Sequence, residues 1–190
     1  MLVRHGATDW SEAGRHTGWT DIPLNVEGVR QAGTLGPRLA EWSFDTVLCS
    51  PLQRAVTTCE CAGYRDGAEL DPDLREWNYG DYEGLTTREI RALKPGWNLW
   101  EDGVPNGEAL TDVAARADRV LGRLRAATGE IAVFGHGHFL RVLAVRWIDQ
   151  GPQLARHLNL STASVSTLAW EHDWPSIILW NDAMHVRAAG

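Results

Sequence analysis

The sequence predicts an α/β domain, a three-layer α/β/α sandwich around a mostly parallel central sheet. Three observations predict this class. Short apolar runs of the kind that form buried parallel strands recur along the chain, and a helix-like pattern follows each of them. The length of 190 residues suits one domain, so we expect a single domain over residues 1–190.

Three of the apolar runs are predicted strands that end in small or polar residues. They are Leu2-Val3 before Arg4-His5-Gly6, residues 44–49 before Ser50-Pro51, and residues 131–134 before Gly135-His136-Gly137-His138. Helical patterns follow over residues 25–42, 52–61 and 139–148, and Pro37 predicts a kink or a break in the first of these helices. The strands and helices alternate, as they do in a parallel sheet covered by helices.

The remaining segments are predicted to fold differently. Residues 70–107 carry prolines, glycines and three tryptophans, and we expect an irregular excursion with one short helix over 86–93. A long amphipathic helix is expected over 108–127. Two strands, 165–170 and 177–180, are expected to form a hairpin that turns at 173–175. The tryptophans Trp77, Trp97 and Trp100 suit either a core or a pocket wall.

Composition excludes several classes of partner. The net charge of −7 argues against nucleic acid or an anionic membrane as a partner of the whole surface. The sequence contains neither an apolar run of bilayer length nor a signal-peptide pattern. Cys49, Cys59 and Cys61 are odd in number and do not suggest a disulfide framework. We therefore expect reduced cysteines and a cytoplasmic protein.

Cationic side chains follow the predicted strands at the edge where α/β proteins bind ligands. Arg4 and His5 follow the first strand, His136 follows the third, and Arg54 lies one turn into the helix after the second. Arginine forks match phosphate oxygens, and helix amino termini add N–H donors. The sequence therefore predicts a compact anion site at this edge.

The motifs of this chain resemble those of a known family. Arg4-His5-Gly6 resembles the Arg-His-Gly signature of the histidine phosphatase superfamily, in its phosphoglycerate mutase-like branch. Further matches cover nearly the whole chain in the family's order, at residues 7–10, 17–24, 27–28, 50–55, 74–76, 80, 83–84, 105–108 and 135–137. Within the superfamily the chain looks most like compact bacterial acid phosphatases and sugar-phosphate phosphatases.

The resemblance implies catalytic roles for five residues. His5 would accept the phosphoryl group, and Glu76 would protonate the leaving oxygen and later activate water. Arg4, Arg54 and His136 would hold the phosphate and neutralise charge during the transfer. These roles suit the chemistry, because phosphoryl transfer depends on positioning and electrostatic stabilisation.

The resemblance also implies substrate-binding residues near the amino terminus. Ser11 stands where many family members have asparagine, and its hydroxyl can still donate one hydrogen bond. Thr17 and Gly18 match a loop that touches substrate in the family. The surrounding segment is similar to that of sugar-bisphosphate phosphatases, which would give Arg15 and His16 a second anionic group to bind.

The expected activity is hydrolysis of small phosphorylated metabolites, such as sugar phosphates or phosphorylated acids, with no metal or organic cofactor. Activity should peak on the acid side of neutral, because Glu76 must be protonated to act as an acid. The main alternative is a mutase. The resembled mutases carry a longer insertion after the third motif and a longer basic tail, so the short excursion and the end at residues 184–190 favour hydrolysis.

Several further alternatives stay open. The chain could be a phosphate-binding module without turnover, although His5 and Glu76 are both present. His136 and His138 could suggest a metal pair, but no neighbouring residue completes a ligand set, and His138 suits the start of a helix better. Glu108 suits either a helix start or the active site. The aromatic-rich hairpin near the carboxyl terminus could support a homodimer.

Overall fold

The computed structural model describes residues 1–188 and contains one six-stranded sheet. Its strands are β1 (Leu2–Arg4), β2 (Thr46–Cys49), β3 (Glu69–Leu70), β4 (Ile131–Gly135), β5 (Val165–Glu171) and β6 (Trp174–Asp182), in the order β3-β2-β4-β1-β5-β6. The first four strands pair in parallel, and β5 and β6 add an antiparallel hairpin beside β1. The predicted mostly parallel sheet is confirmed.

Nine α-helices connect and cover the strands within the described residues. They are α1 (Asp9–Glu12), α2 (Val26–Gly33), α3 (Leu35–Leu39), α4 (Gln53–Cys61), α5 (Thr87–Leu93), α6 (Leu99–Asp102), α7 (Leu110–Ala126), α8 (Gly137–Trp147) and α9 (Met184–Ala188). Short 3-10 helices span Pro72–Leu74, Gly80–Tyr82 and Pro152–His157. Residues 189–190, the end of the tail that bears on the mutase alternative, lie outside the described range.

The sheet separates two hydrophobic clusters, as a three-layer sandwich requires. Successive strand residues point to opposite faces. Val133 therefore packs with α7 and α8 on one face, whereas Phe134 packs with α3 and α4 on the other. The carboxyl ends of β1, β2 and β4 lie together at one edge of the sheet, outside both clusters, and polar residues follow each strand there.

Two predicted boundaries are wrong in detail. The helical pattern over residues 25–42 breaks at Thr34 and not at Pro37, which lies in the first turn of α3. A continuous helix would need an N–H from Pro37 to the Gly33 carbonyl, and proline has none. The hairpin turns at His172–Asp173, where His172 has a φ of 54°. Pro175 instead lies inside β6, which tolerates proline because it is an edge strand.

The excursion after residue 70 contains more structure than expected. It holds the predicted helix as α5, but also α6 and two 3-10 helices, and β3 precedes it. Within residues 1–188, no helix has the length and apolar character needed to cross a membrane. Trp170, Trp174 and Ile178 are exposed on the hairpin, and a homodimer through it stays a prediction.

A pair of glycines lets the loop after β1 lie directly on α2. A Cβ at Gly28 would stand 1.9 Å from the Ala7 carbonyl oxygen, and a Cβ at Gly6 would stand 2.3 Å from the Gly28 carbonyl oxygen. The Asn25 side chain caps α2 by accepting a hydrogen bond from the Gly28 N–H. The loop that carries His5 is thus fixed against the first turn of a helix.

We predict that Gly28→Ala lowers the free energy of unfolding by about 1–3 kcal/mol, because the added methyl group overlaps backbone atoms that cannot move cheaply. The matched control is Gly33→Ala in the same helix, where an added Cβ meets nothing within 4 Å. That change should raise the free energy of unfolding by about 0.5–1 kcal/mol. Urea denaturation of the two variants measures both values, and equal effects would contradict the close approach.

Candidate active site

A cavity of about 400 Å³ opens at the carboxyl edge of the parallel strands. Of the residues singled out in the sequence for catalysis or substrate binding, seven lie on its wall: Arg4, His5, Ser11, Arg15, His16, Thr17 and Glu76. Arg54, His136 and Gly18 lie behind the wall and are fully or almost fully buried. The structure therefore brings the predicted residues to one place but divides them into a wall and a layer behind it.

His5 lies on the wall in a defined tautomer. Its Nδ1 is 2.7 Å from the Gly6 carbonyl oxygen, and since a carbonyl can only accept, Nδ1 carries the proton and Nε2 keeps its lone pair. Burial, together with the charges of Arg54 and Arg4, holds the pKa of His5 well below its usual 6.5. A neutral imidazole with a free lone pair can attack an electrophile.

His136 stands directly behind His5, with 5.2 Å between the ring centroids. Its Nδ1 accepts a hydrogen bond of 3.2 Å from Arg54 Nε, so its Nε2 donates to Ser50 Oγ at 2.7 Å. Burial and the nearby charge of Arg54 hold the pKa of His136 well below its usual value. Both ring nitrogens thus have protein partners, and direct contact between His136 and phosphate stays a prediction.

Arg54 is completely buried and donates to the loop after α1. Its terminal nitrogens donate to the carbonyl oxygens of Gly18 at 2.7 Å, Thr20 at 3.2 Å and Thr17 at 3.3 Å. Gly18 suits this position because a Cβ would stand 2.6 Å from the Trp77 carbonyl oxygen, a backbone atom that cannot move cheaply. The structure gives Gly18 a role in holding Arg54, and a contact between Gly18 and substrate stays a prediction.

Arg4 contributes an unsatisfied donor to the site. One of its terminal nitrogens donates to the Leu160 carbonyl oxygen. Its Nε is buried and has no hydrogen-bond partner among the described residues. An orphaned buried donor costs about 1–3 kcal/mol, and an anion in the cavity is the kind of group that would satisfy it.

Glu76 is held at the amino terminus of α8. Its Oε1 accepts hydrogen bonds from the backbone N–H groups of Trp77 at 2.9 Å and Phe139 at 2.8 Å, and its Oε2 accepts one from His138 at 2.9 Å. A carboxylate has about four acceptor positions, so one position remains, on Oε2. The carboxyl group is thus fixed in orientation and keeps one site for a proton.

Glu108 supports the segment that carries Glu76. It forms an ion pair with Arg116 at 2.7 Å, and Arg116 also donates to the carbonyl oxygens of Asp73, Arg75 and Glu76. Glu108 lies off the cavity wall and before the first residue of α7. The sequence left two positions open for Glu108, the start of a helix or the active site. The structure places Glu108 outside the cavity, two residues before α7, where it supports the segment of Glu76.

The two hydroxyls on the wall that are predicted to bind substrate already have partners within the protein. Ser11 Oγ donates to the Thr8 carbonyl oxygen and accepts from the Thr8 N–H, both at 2.9 Å, which caps α1. Thr17 Oγ1 donates to the Arg15 carbonyl oxygen at 3.2 Å. Binding of substrate by either hydroxyl stays a prediction.

Sequence reasoning missed part of the wall. Tyr79 and His138 line it and share a hydrogen bond of 2.6 Å between the phenol oxygen and Nδ1. Trp97 and Trp100 also line the cavity, whereas Trp77 is buried in the core. Tyr79 lies three residues after Glu76 and His138 two after His136, so their closeness to motif residues was the one available signal.

A metal site is not evident in the donor set. Within residues 1–188, no three His, Cys, Asp or Glu side chains are grouped so that they could hold an ion. His136 is bonded to Arg54 and Ser50, and His138 is bonded to Tyr79. The two histidines that suggest a metal pair in the sequence therefore face different partners.

The fold and the site define a class of protein: an α/β domain whose cavity is lined by a neutral histidine and by an arginine with an unsatisfied buried donor. Comparison with known proteins agrees with this class. The family model described as histidine phosphatase superfamily (branch 1) matches residues 1–183. The chain belongs to this superfamily, and relatives with phosphatase names are among its matches.

Individual relatives cover most of the chain. An acid phosphatase of Mycobacterium tuberculosis is 38% identical over 176 residues, which are 90% of this chain and 86% of the relative. A sedoheptulose 1,7-bisphosphatase of Saccharomyces cerevisiae is 35% identical over 185 residues, which are 80% and 68% of the two chains. Other relatives are named phosphoglycerate mutases.

A solved structure has the same fold. The structure of the product of an open reading frame from Mycobacterium tuberculosis superposes with a TM-score of 0.90 at 35% identity and covers 95% of both chains. The phosphoglycerate mutase-like fold expected from the motifs is confirmed.

We predict that the free energy of unfolding falls as the pH drops below about 6.5, the unfolded value for histidine. Burial holds the pKa values of His5, His136 and His138 well below that value in the folded state. Between the two values the unfolded chain binds more protons, so acid favours unfolding. The slope is at most about 1.4 kcal/mol per pH unit for each histidine.

Urea denaturation at pH 7.5 and 5.5 measures this dependence. Replacing His138 with glutamine should make it shallower, whereas replacing the exposed His172 with glutamine should leave it unchanged. Greater stability at pH 5.5 than at pH 7.5, or the same slope in His138→Gln as in the wild type, would contradict the prediction.

Proposed function

We propose that this protein hydrolyses phosphomonoesters of small metabolites, such as sugar phosphates or phosphorylated acids, through a phosphohistidine on His5. One observation carries the proposal: a neutral His5, whose Nε2 keeps its lone pair, lines the same cavity as Arg4, whose buried Nε has no partner among the described residues. The named activities of the relatives, acid phosphatase and sedoheptulose 1,7-bisphosphatase, support it.

In the first step His5 Nε2 attacks phosphorus, and the N–P bond forms as the ester P–O bond breaks. Arg4 donates to the phosphoryl oxygens, and the buried charge of Arg54 stabilises the negative charge of the transferring group. Glu76 gives its proton to the leaving oxygen, which departs as an alcohol. Ser11, Thr17 and His136 assist in holding the phosphate.

In the second step a water molecule attacks the phosphohistidine. Glu76, now a carboxylate, accepts the proton of the water, the N–P bond breaks, and the electron pair returns to Nε2 of His5. The products are inorganic phosphate and a regenerated site. Since the same carboxyl group acts first as acid and then as base, each turnover ends with Glu76 protonated again.

The finer properties are part of the proposal. Activity peaks on the acid side of neutral, because the first step needs protonated Glu76. No metal ion takes part, because the charges of Arg4 and Arg54 supply the electrostatic stabilisation. A cytoplasmic location is supported by three free cysteines, two of which are buried. Chelators should accordingly leave phosphate release unchanged.

We predict that His5→Ala lowers phosphate release from p-nitrophenyl phosphate by at least about a thousandfold, because the nucleophile is removed. Quenching the reaction with a ³²P-labelled substrate into alkaline detergent should leave the wild-type protein labelled with a base-stable phosphate that acid releases. His172→Ala serves as the matched control and should keep both turnover and label. A wild-type protein that binds phosphate without releasing it from any ester would indicate a binding module instead.

The same preparation separates hydrolysis from mutase chemistry. With 3-phosphoglycerate as substrate, we expect release of inorganic phosphate to exceed formation of 2-phosphoglycerate. The presence of phosphoglycerate mutases among the relatives makes this comparison necessary. Isomerisation much faster than phosphate release would contradict hydrolysis and would indicate that the phosphoryl group returns to the substrate.

We predict that Glu76→Gln affects poor leaving groups most. Glutamine can accept hydrogen bonds but cannot donate the proton, so kcat for an alkyl phosphate should fall by about 10²–10⁴-fold. The rate of the first step with p-nitrophenyl phosphate, whose leaving group needs no proton, should fall far less. Glu60→Gln on the exposed side of α4 is the control. Equal losses for the two substrates in single-turnover assays would exclude Glu76 as the proton donor.

A further inference from the structure

One loop contacts both Arg4 and His5, the two residues that receive the phosphate in the proposed reaction. This loop, residues 158–164, lies directly before β5, and its Leu160 carbonyl oxygen accepts a hydrogen bond from Nη1 of Arg4. Among the described residues, that is the only hydrogen bond of the Arg4 guanidinium. The N–H of Ala163, also in the loop, donates to the His5 carbonyl oxygen at 3.0 Å. The position of the 158–164 loop therefore sets the guanidinium of Arg4 and the backbone of His5.

The peptide group between Leu160 and Ser161 is held at both of its ends. Its carbonyl oxygen accepts from Arg4, and its N–H donates to Oδ1 of Asn181, at the end of β6, at 2.6 Å. A trans peptide group is planar and rigid, and its C=O and N–H point in opposite directions. The bond to Asn181 therefore fixes the orientation of the carbonyl that holds Arg4.

Asn181 is itself fixed by its backbone. It has a φ of 58°, in the left-handed region, which asparagine adopts more readily than most residues. Its own N–H donates to the Ser166 hydroxyl on β5 at 3.0 Å. Beside it, Trp180 Nε1 donates to the Asn159 carbonyl oxygen in the loop at 2.6 Å. The end of β6 thus presents an amide oxygen to the 158–164 loop in a fixed direction.

His185, in α9, holds the second half of the loop. Its Nε2 lies 2.9 Å from the Ala163 carbonyl oxygen, and since a carbonyl only accepts, Nε2 carries the proton. Its Nδ1 is buried and has no partner among the described residues, so the bond to Ala163 orients the ring. Ala163 has a φ of 51°, a left-handed conformation that persists only where surrounding contacts fix it. His185 thus fixes the residue whose N–H holds the His5 backbone.

We propose that Asn181 and His185 are positioning residues for the phosphoryl transfer. Asn181 aligns the Arg4 guanidinium, and His185 aligns His5, each through the 158–164 loop. Neither Asn181 nor His185 lines the cavity, so neither touches the substrate. The proposal rests on the function proposed above, which gives Arg4 and His5 their roles. Because a misplacement of about 1 Å can cost about a hundredfold in rate, loss of one of these bonds should slow the reaction without unfolding the protein.

Two replacements of Asn181 separate its hydrogen bond from its backbone conformation. Glycine keeps the left-handed φ and removes the acceptor, whereas aspartate keeps an acceptor in the same place. In kcat/KM for p-nitrophenyl phosphate, we expect Asn181→Gly to lose about tenfold or more and Asn181→Asp to stay within about threefold of the wild type.

His172→Gly is the matched control for Asn181→Gly. His172 is exposed, has a φ of 54° and lies at the far end of the same hairpin, away from the loop. Its replacement should leave kcat/KM unchanged. A loss in Asn181→Gly no larger than in His172→Gly would overturn the role of Asn181.

A second pair of variants tests His185. Leucine fills part of the space of the ring without an N–H, whereas glutamine can place an N–H near the position of Nε2. We expect His185→Leu to lower kcat about tenfold and His185→Gln to recover most of it, with folding at the assay temperature checked by circular dichroism. An equal loss in two folded variants would leave His185 a packing role and overturn its part in positioning. If His185→Leu does not fold, the Asn181 variants decide the proposal.

A double variant tests whether Asn181 acts through Arg4. In an Arg4→Gln background the guanidinium is absent, so adding Asn181→Gly should lower kcat/KM by less than about twofold. The full loss of about tenfold in both backgrounds would show that Asn181 acts by another route and would overturn the proposal.

Direct binding separates this inference from the proposed function. If the wild type releases phosphate from no ester, the proposed function is wrong, and calorimetric titration with inorganic phosphate then decides the positioning of Arg4. Binding about threefold or more weaker in Asn181→Gly, restored in Asn181→Asp, supports it. Equal binding by the wild type and both variants, or no binding by the wild type, overturns it.

Discussion

The buried guanidinium of Arg54 is the interaction on which the site depends. A charge this deep is costly unless hydrogen bonds surround it. The carbonyl oxygens of Thr17, Gly18 and Thr20 and the Nδ1 atom of His136 provide those bonds. One side chain on α4 therefore fixes the loop after α1 and the end of β4 at the same time. It also fixes the tautomer of His136, which must present a bare Nδ1 to an arginine donor.

The charge of Arg54 also contributes to the protonation state of the site. Burial, and after it the charges of Arg54 and Arg4, lower the pKa of His5 and keep its ring neutral. An imidazolium, protonated at both ring nitrogens, would be repelled by the arginines and would have no lone pair with which to attack phosphorus. Three backbone N–H donors hold Glu76 in place without a cationic side chain. The nucleophile His5 and the acid Glu76 thus have separate hydrogen-bond partners, although both line one cavity.

Fine positioning comes from residues that never reach the cavity. Arg116 and Glu108 hold the backbone that carries Glu76, and the Gly6 and Gly28 pair holds the backbone that carries His5. At these glycines the side chain is a hydrogen atom and not a methyl group, which lets the two backbone segments approach so closely. The reactive groups therefore rest on rigid elements, as a site that depends on orientation requires.

The sequence by itself determined the order of the main strands and helices, the parallel sheet and the edge at which Arg4, His5 and His136 meet, because apolar periodicity is local and parallel strands share a direction. It also placed Arg54 and Glu76 in the right motifs. Tertiary structure alone decided that Arg54 lies behind the wall and that Glu108 pairs with Arg116. It likewise brought Arg15, Arg91 and Arg141 to one cavity from the loop after α1, from α5 and from α8. Contacts between residues so distant in the chain leave no periodic pattern, because packing sets them and local preference does not.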